Sequence, residues 1–286
     1  MGKQRKSKAS ILGGGKLGEE RTGAAAEAAG AAGLKARRAP LRERADLLLV
    51  ERALAPSRER ARAFILAGTV FSGDRRVDKA SDTLPLDAPL EVRAPDHPYV
   101  GRGGVKLAGA LDEFGVDVAG AVAIDAGAST GGFTDCLLRR GAARVYAVDV
   151  GYGLLASTVR ADARVVVVER VNARNLDATH VPALADLATI DVSFISVEKV
   201  LPAVAARVRD GGRLVVLVKP QFELEPALVG PGGVVRDPAH RALAADRVAA
   251  AAERLGLRVT ARADSALAGP QGNVEIFLLL EKPTKG

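Results

Sequence analysis

From residue 121 onward, short and nearly continuous apolar runs alternate with stretches of helical periodicity. Residues 121–124, 145–148, 165–168, 187–190 and 214–218 each read as a strand buried on both faces, as in a parallel sheet. Helical patterns fall between them, including 134–140, 197–208 and 239–255, the last ended by Gly256. Residues 257–261 and 274–280 then follow each other with no helix between them, which predicts an antiparallel edge pairing. The whole is the pattern of an α/β chain, a doubly wound sheet closed by a hairpin.

Before residue 121 the pattern is more compact. Leu47, Leu48, Val50 and Leu54 form an apolar stripe that Pro56 breaks. Ser57 is placed to cap a second helix running to Ala67 and closed by Gly68. On that helix Phe64 and Ile65 point to a core. Arg58 and Arg62, one turn apart, share a face that either clamps phosphates or is solvated and paired with Glu59. Short strands follow at 69–71, at Arg76 and Val77, and at 90–92. The stretch H-P-Y-V-G-R-G-G, 97–104, reads as a linker, with Tyr99 a packed hinge aromatic or a contact to ligand. Lys106 opens the next helix, which carries Leu107, Leu111 and Phe114. Residues 1–40 hold almost no large apolar side chain and read as a disordered basic leader. The expected division is therefore 1–40 leader, 41–96 small domain, 97–104 linker and 105–286 large domain.

At 286 residues and 48% hydrophobic, the chain has ample core for a large unit plus a small one. The net charge of +7 invites a nucleic-acid partner, but residues 1–40 carry nine Lys or Arg against three Glu. Residues 41–100 balance ten basic against ten acidic side chains, so an RNA surface there requires charge segregated onto one face. One cysteine, Cys136, and the scattered His97, His180 and His240 point away from a disulfide framework or a structural metal. No apolar run is long enough to span a bilayer, and no apolar stretch follows the basic start, so a cytoplasmic protein is expected.

Chemistry in such sheets sits at the carboxyl ends of the strands, where this chain places Asp125, Asp149, Asp191 and Lys219. The turn after the first strand, I-D-A-G-A-S-T-G-G-F (124–133), has glycines where a strand gives way to a helix. Asp149 stands 24 residues after Asp125, near the spacing at which a second acid bonds a ribose diol. These features suit a nucleoside cofactor, NAD or S-adenosylmethionine. The G-x-G-x-x-G spacing of a pyrophosphate site is missing, and the terminal antiparallel hairpin favours S-adenosylmethionine.

Two resemblances extend this reading. The run R-A-D-L-L-L-V-E-R-A-L-A-P-S-R-E-R-A-R-A-F-I-L-A-G-T-V-F, 44–71, resembles the S4 RNA-binding fold, with Ala45 where that fold usually has a larger apolar residue. The segments D-A-G-A-S-T-G-G-F-T, D-V-S-F-I-S, V-K-P-Q-F-E, G-G-V-V-R-D-P and G-N-V-E resemble the TlyA family of hemolysin-named, FtsJ-like ribosomal RNA 2'-O-methyltransferases. The resemblance implies a small α+β S4-like domain before a Rossmann-like, class I S-adenosylmethionine-dependent methyltransferase sheet with a final antiparallel strand. It implies methylation of a cytidine 2'-hydroxyl in 16S or 23S ribosomal RNA, with ribosomal subunits as partners. The rival readings are a membrane-active hemolysin and a non-catalytic RNA-binding protein.

Carried over by motif, the catalytic tetrad is Lys106, Asp191, Lys219 and Glu275. A ribose hydroxyl is a weak acid that must lose its proton as the new C–O bond forms. Lys219 accepts that proton only as a neutral amine, a state that the nearby cation Lys106 favours and the two carboxylates oppose. The resemblance further implies a cofactor site of Asp125, Gly127, Ser129, Thr130, Gly132, Asp149 and Asn172, with Phe133 beside it, whose ring more commonly packs. It implies RNA contacts from Arg44, Arg58, Arg60, Arg62 and Arg102.

Overall fold

The computed structural model describes residues 41–93, 97–269 and 272–284. The leader expected at 1–40 lies outside the described residues.

Residues 41–93 build a small helix-and-strand unit: β1 (Arg42–Arg44), α1 (Ala45–Glu51), α2 (Arg58–Ala67), β2 (Val70–Ser72), β3 (Arg75–Arg76), β4 (Thr83–Pro85) and β5 (Glu91–Val92). The Ser57 hydroxyl accepts from the Arg60 N–H to start α2, and Gly68 ends it at φ 77°, both as the sequence indicates. The core joins Leu48, Leu49, Ala61 and Ile65 to Val70 and Val77. Each fully buried Leu or Ile contributes about 1.5–3 kcal/mol. Leu49, not Leu47, turns inward. With α1 starting at Ala45, residues 45, 48 and 49 fall at i, i+3 and i+4 on one face, and all three are buried. The small Ala45 is fully buried. The β1–β4 pair, with Glu43 opposite Leu84, is absent from the hydrophobic pattern, since strands of three residues leave no period to read.

The larger part runs α3 (Arg102–Phe114), β6 (Val122–Ala126), α4 (Gly132–Arg139), β7 (Arg144–Asp149), α5 (Ser157–Arg160), β8 (Val165–Glu169), β9 (Ala185–Ile190), α6 (Leu201–Ala206), β10 (Val208–Val218), α7 (Pro220–Glu223), α8 (Pro238–Arg254), β11 (Arg258–Asp264) and β12 (Ile276–Glu281). Its seven strands are ordered β11-β12-β10-β9-β6-β7-β8. β6 to β10 are parallel, and β12 lies antiparallel between β10 and β11, so the predicted closing hairpin forms. One face packs on α6 and α8 through residues such as Leu201, Val204 and Val248. The other packs on α3 and α4 through Leu107, Leu111 and Leu137.

Three boundaries differ from the expectation. The helix expected at 197–208 is a single 3-10 turn at Val197–Lys199 followed by α6, and β10 starts already at Val208. Val208 pairs with Ala185, the register shifts, and regular pairing resumes at Arg213, which lets the Gly211-Gly212 pair sit inside a strand. β8 is the sheet edge, so Val166 is exposed rather than buried on both faces. The linker expected to reach residue 104 ends at Gly101, because α3 takes Gly103 and Gly104 into its first turn. Glycine is needed there for packing, not freedom: a Cβ on Gly104 would lie 2.3 Å from the Tyr99 ring.

The chain order turns round between β6 and β9. β7 and β8 lie to one side of β6, then the chain returns to lay β9 on the other. At such a point the connections diverge and leave a crevice beyond the strand ends. Gly127 and Asp191, the residues after β6 and β9, meet in it.

Candidate active site

The crevice contains two chambers. The inner one, of about 190 Å³, is lined by Lys106, Asp191, Lys219 and Glu275 together with Gly68, Arg76 and Asp78 from the small unit. The outer one, of about 580 Å³, has Asp149, Asn172 and the apolar Val150, Leu154 and Ile195 in its walls. Leu66, Gly127, Ser129, Asp191 and Ser193 line both, so the chambers adjoin at these residues. Leu66, near the end of α2, is half exposed.

Four residues distant in sequence come together in the inner chamber as two ion pairs. Lys106, in α3, places Nζ 2.5 Å from Glu275 Oε2, and both residues are buried. Lys219, just after β10, places Nζ 2.5 Å from Asp191 Oδ1 and donates to Ser193 Oγ at 2.9 Å. Glu275 Oε1 is buried without a hydrogen-bond partner among the described residues. Gly269 makes room for it: a Cβ there would be 2.3 Å from that oxygen. Two cations facing two carboxylates around one cavity can bind a hydroxyl, orient it and exchange its proton.

The turn after β6 is built by close approach. Gly127 has φ 93°, and a Cβ on it would lie 2.3 Å from the Asp191 carbonyl oxygen. Ser129 is held at φ 50°, unusual for a residue with a side chain, while its N–H donates to Asp149 Oδ2 at 2.8 Å. The other Asp149 oxygen accepts from the Gly151 N–H at 2.6 Å. One bond to each oxygen fixes the carboxylate and leaves acceptor capacity for a diol. The Asn172 Oδ1 accepts from the Arg174 N–H and begins a 3-10 turn at the chamber wall.

The other expected cofactor residues divide: Asp125 lies behind the chambers, while Thr130, Gly132 and Phe133 line the inner one. Asp125 is fully buried and is not among the residues lining either chamber; its oxygens accept from Thr134 Oγ1 at 2.7 Å and Thr189 Oγ1 at 3.1 Å. Burial pushes its carboxyl up to about 7, against the pull of those hydroxyls. Gly132 lies where α4 meets α3, a Cβ there falling 3.0 Å from the Gly104 nitrogen. Thr130 and Phe133 edge the inner chamber; Phe133 is 3% exposed, with its ring stacked on Phe277 at 6.2 Å. Tyr99 packs between Gly104 and the Arg139 guanidinium.

The arginines of the small unit are gathered rather than spread. Asp46, fully buried, accepts from Arg44 at 2.8 and 3.0 Å, from Arg58 at 3.1 Å and from Arg62 at 3.4 Å. Against its desolvation, Arg44 and Arg58 hold its carboxyl down at about 2. The direct ion-pair partner of Arg58 and Arg62 is therefore Asp46, while Glu59 feels both arginines only through charge. Their side chains remain 46% exposed. Arg60 lies instead over the Phe64 ring at 5.3 Å. Arg102 packs its stem against Gly68 and donates to the Ala268 carbonyl.

Three further residues stand on the loops that carry Asp191 and Lys219, in motifs visible in the sequence, and none was among the expected site residues. In D-V-S-F-I-S, Ser193 holds Lys219, and Phe194 stands 91% exposed at φ 66°. In V-K-P-Q-F-E, Glu223 accepts from Ser196 Oγ and the Val197 N–H. An aromatic between two serines after a strand-end acid was the available signal for Phe194.

A family model of the FtsJ-like methyltransferase matches residues 99–282. The 16S/23S rRNA (cytidine-2'-O)-methyltransferase TlyA of Mycobacterium tuberculosis is 48% identical over 244 residues, 85% of this chain and 91% of the relative. Hemolysin A of Brachyspira hyodysenteriae is 37% identical over 220 residues, 77% of this chain and 91% of the relative. Among solved structures, a hemolysin-named protein from Streptococcus thermophilus matches with a TM-score of 0.67 at 39% identity, covering 86% of this chain and 90% of that one.

Proposed function

The chain belongs to the FtsJ-like methyltransferase family, and from that premise we propose that it methylates the ribose 2'-hydroxyl of a cytidine in ribosomal RNA, using S-adenosylmethionine. The observation that carries the reading is the convergence of Lys106–Glu275 and Lys219–Asp191 on one chamber adjoining another that holds Asp149.

The residues fit the cofactor. The apolar Val150, Leu154 and Ile195 suit an adenine, the fixed Asp149 carboxylate suits a ribose diol, and Gly127 and Ser129 give a backbone cradle leading to the inner chamber. S-adenosylmethionine, when bound, supplies an electrophilic methyl group on a positively charged sulfur. The chain's own residues prepare the acceptor. Lys106 and Glu275 fix the position of the 2'-hydroxyl. Lys219, once it has released a proton to solvent, takes the hydroxyl's proton while the oxygen gains the methyl, and Asp191 with Ser193 aims Nζ and stabilises the ammonium that results.

The unit at 41–93 is read as an S4-like RNA-binding domain whose Arg44, Arg58 and Arg62, fixed on Asp46, bind RNA phosphates. Phe194, exposed beside the tetrad, offers a ring on which a splayed base stacks. The hemolysin name of some relatives gains nothing from the site. Among the described residues no helix is long and apolar enough to cross a membrane.

Labelled S-adenosylmethionine, incubated with the protein and separated ribosomal subunits, is expected to mark a cytidine 2'-oxygen. Label on a base or on protein overturns the reading. Lys219→Ala should keep cofactor affinity and lose at least about a hundredfold in methylation rate, the range of a general base. Near-normal turnover in that variant removes Lys219 from the proposed role.

A further inference from the structure

Glu223 takes no part in the tetrad, yet it ties together the two loops that carry half of it. The loop after β9 bears Asp191, Ser193 and Phe194; the segment after β10 bears Lys219, Phe222 and Glu223. Lys219 pairs by charge with Asp191 and hydrogen-bonds to Ser193 across the two. The Phe194 and Phe222 rings meet at 5.2 Å. Glu223 closes the far end of this contact, its Oε2 accepting from Ser196 Oγ at 2.6 Å and its Oε1 from the Val197 N–H at 2.9 Å. Its own main chain is anchored in turn, its carbonyl accepting from Arg247 of α8 at 3.2 Å.

Phe194 is what this arrangement holds. A phenylalanine at φ 66° is a backbone outlier that persists only where its surroundings over-determine it. Fixed at Asp191 on one side and at Ser196 and Val197 on the other, the intervening residues have little freedom to relax, and the ring stays outside at 91% exposure.

We propose that Glu223 is a positioning residue for methyl transfer, holding the 191–197 loop so that Phe194 faces the incoming nucleotide. The proposal rests on the RNA 2'-O-methyltransferase reading above. The removal of this carboxylate from water raises its proton affinity, and its two donors offset part of that effect. Glutamine can accept from Val197 and donate to Ser196, so the hold survives loss of charge and fails with loss of the side chain.

The test is a double-mutant cycle with methylation of ribosomal RNA as the readout, accompanied by amide hydrogen exchange at Val197. Glu223→Ala and Phe194→Ala should each lower kcat/KM for RNA about tenfold or more, the scale of one lost base–aromatic stack, with cofactor affinity unchanged. The double variant should be no worse than Phe194→Ala alone, and Glu223→Gln should recover to within about threefold of wild type. Val197 exchange should speed up in Glu223→Ala and not in Phe194→Ala. Multiplying losses in the double variant, or full activity in Glu223→Ala, overturns the proposal. If Glu223→Ala unfolds, Ser196→Ala removes one of the two bonds and must show a smaller loss of the same kind; unchanged kinetics there count against it. Lys219→Ala in the same assay reports on the reaction itself, so failure of the chemistry and failure of the positioning role are separable. Where no methylation occurs in wild type, Val197 exchange still decides whether Glu223 holds the loop.

Discussion

Asp125 is a carboxyl that the fold would rather keep protonated. It lies fully buried behind the Gly127 turn, and its folded value of about 7 stands above that of an exposed aspartate. A group raised in this way contributes stability below its unfolded pKa, near 4, and that contribution is lost as pH rises toward the folded value. Asp125→Asn abolishes the titration while keeping an acceptor for one of the two threonine hydroxyls and offering the other an amide donor, since Thr134 and Thr189 reach different oxygens. The Tm advantage of the variant over wild type should therefore grow between pH 4 and 7, by several degrees in all, since each pH unit in that window is worth roughly 1.4 kcal/mol. A constant Tm difference across that range would show Asp125 to be ionised at no cost. The position of Asp125 was legible as a strand-end acid. Its confinement was not, because Thr134 and Thr189 reach it only after α4 and β9 have packed.

The turn between β6 and α4 and the loop after β9 interlock at Gly127. Its φ of 93° and the Asp191 carbonyl 2.3 Å from a would-be Cβ make alanine doubly unfavourable. Gly120, at φ 72° with nothing within 4 Å, is the matched control. Gly120→Ala should cost about 1–2 kcal/mol of stability, whereas Gly127→Ala should cost clearly more and weaken S-adenosylmethionine binding. Equal losses from thermal melts and cofactor titrations of the pair would deny the turn its role. The elements that sequence reveals well are those buried on both faces: β6, β7, β9 and the second half of β10 hold nearly continuous apolar runs. It falters at β8, whose outer face is open, and at α6, where an apolar stretch serves a helix and then a strand. The glycines of 101–104 mislead for another reason. A residue without a side chain looks the same whether it bends freely or lets Tyr99 and Phe133 approach.

For the molecule as a whole, net charge is a poor guide and charge placement a good one. Residues 41–100 are neutral in sum, yet Asp46 draws Arg44, Arg58 and Arg62 into one cationic patch. No sequence rule marks an aspartate in the first turn of α1 as their common partner, so the patch emerges only in three dimensions. On the proposed RNA role, Arg58→Gln and Arg62→Gln should each weaken binding of ribosomal RNA. Each should also lower the slope of log affinity against log salt by about one. Slopes identical to wild type would mean that these arginines serve Asp46 and nothing else.

Helix α2 carries that patch at one end and, in Leu66, a wall of both chambers at the other. Eight residues separate Arg58 from Leu66, about 12 Å along a helix at 1.5 Å per residue. A helix this short does not flex appreciably, so on the proposed reading it works as a ruler. The gap between the gripped RNA backbone and the ribose presented to Lys219 is set in the protein, at a span of a few nucleotides. Selection of the modified site then becomes a measurement of distance across folded RNA, and lengthening the rod by one turn would move the mark rather than erase it.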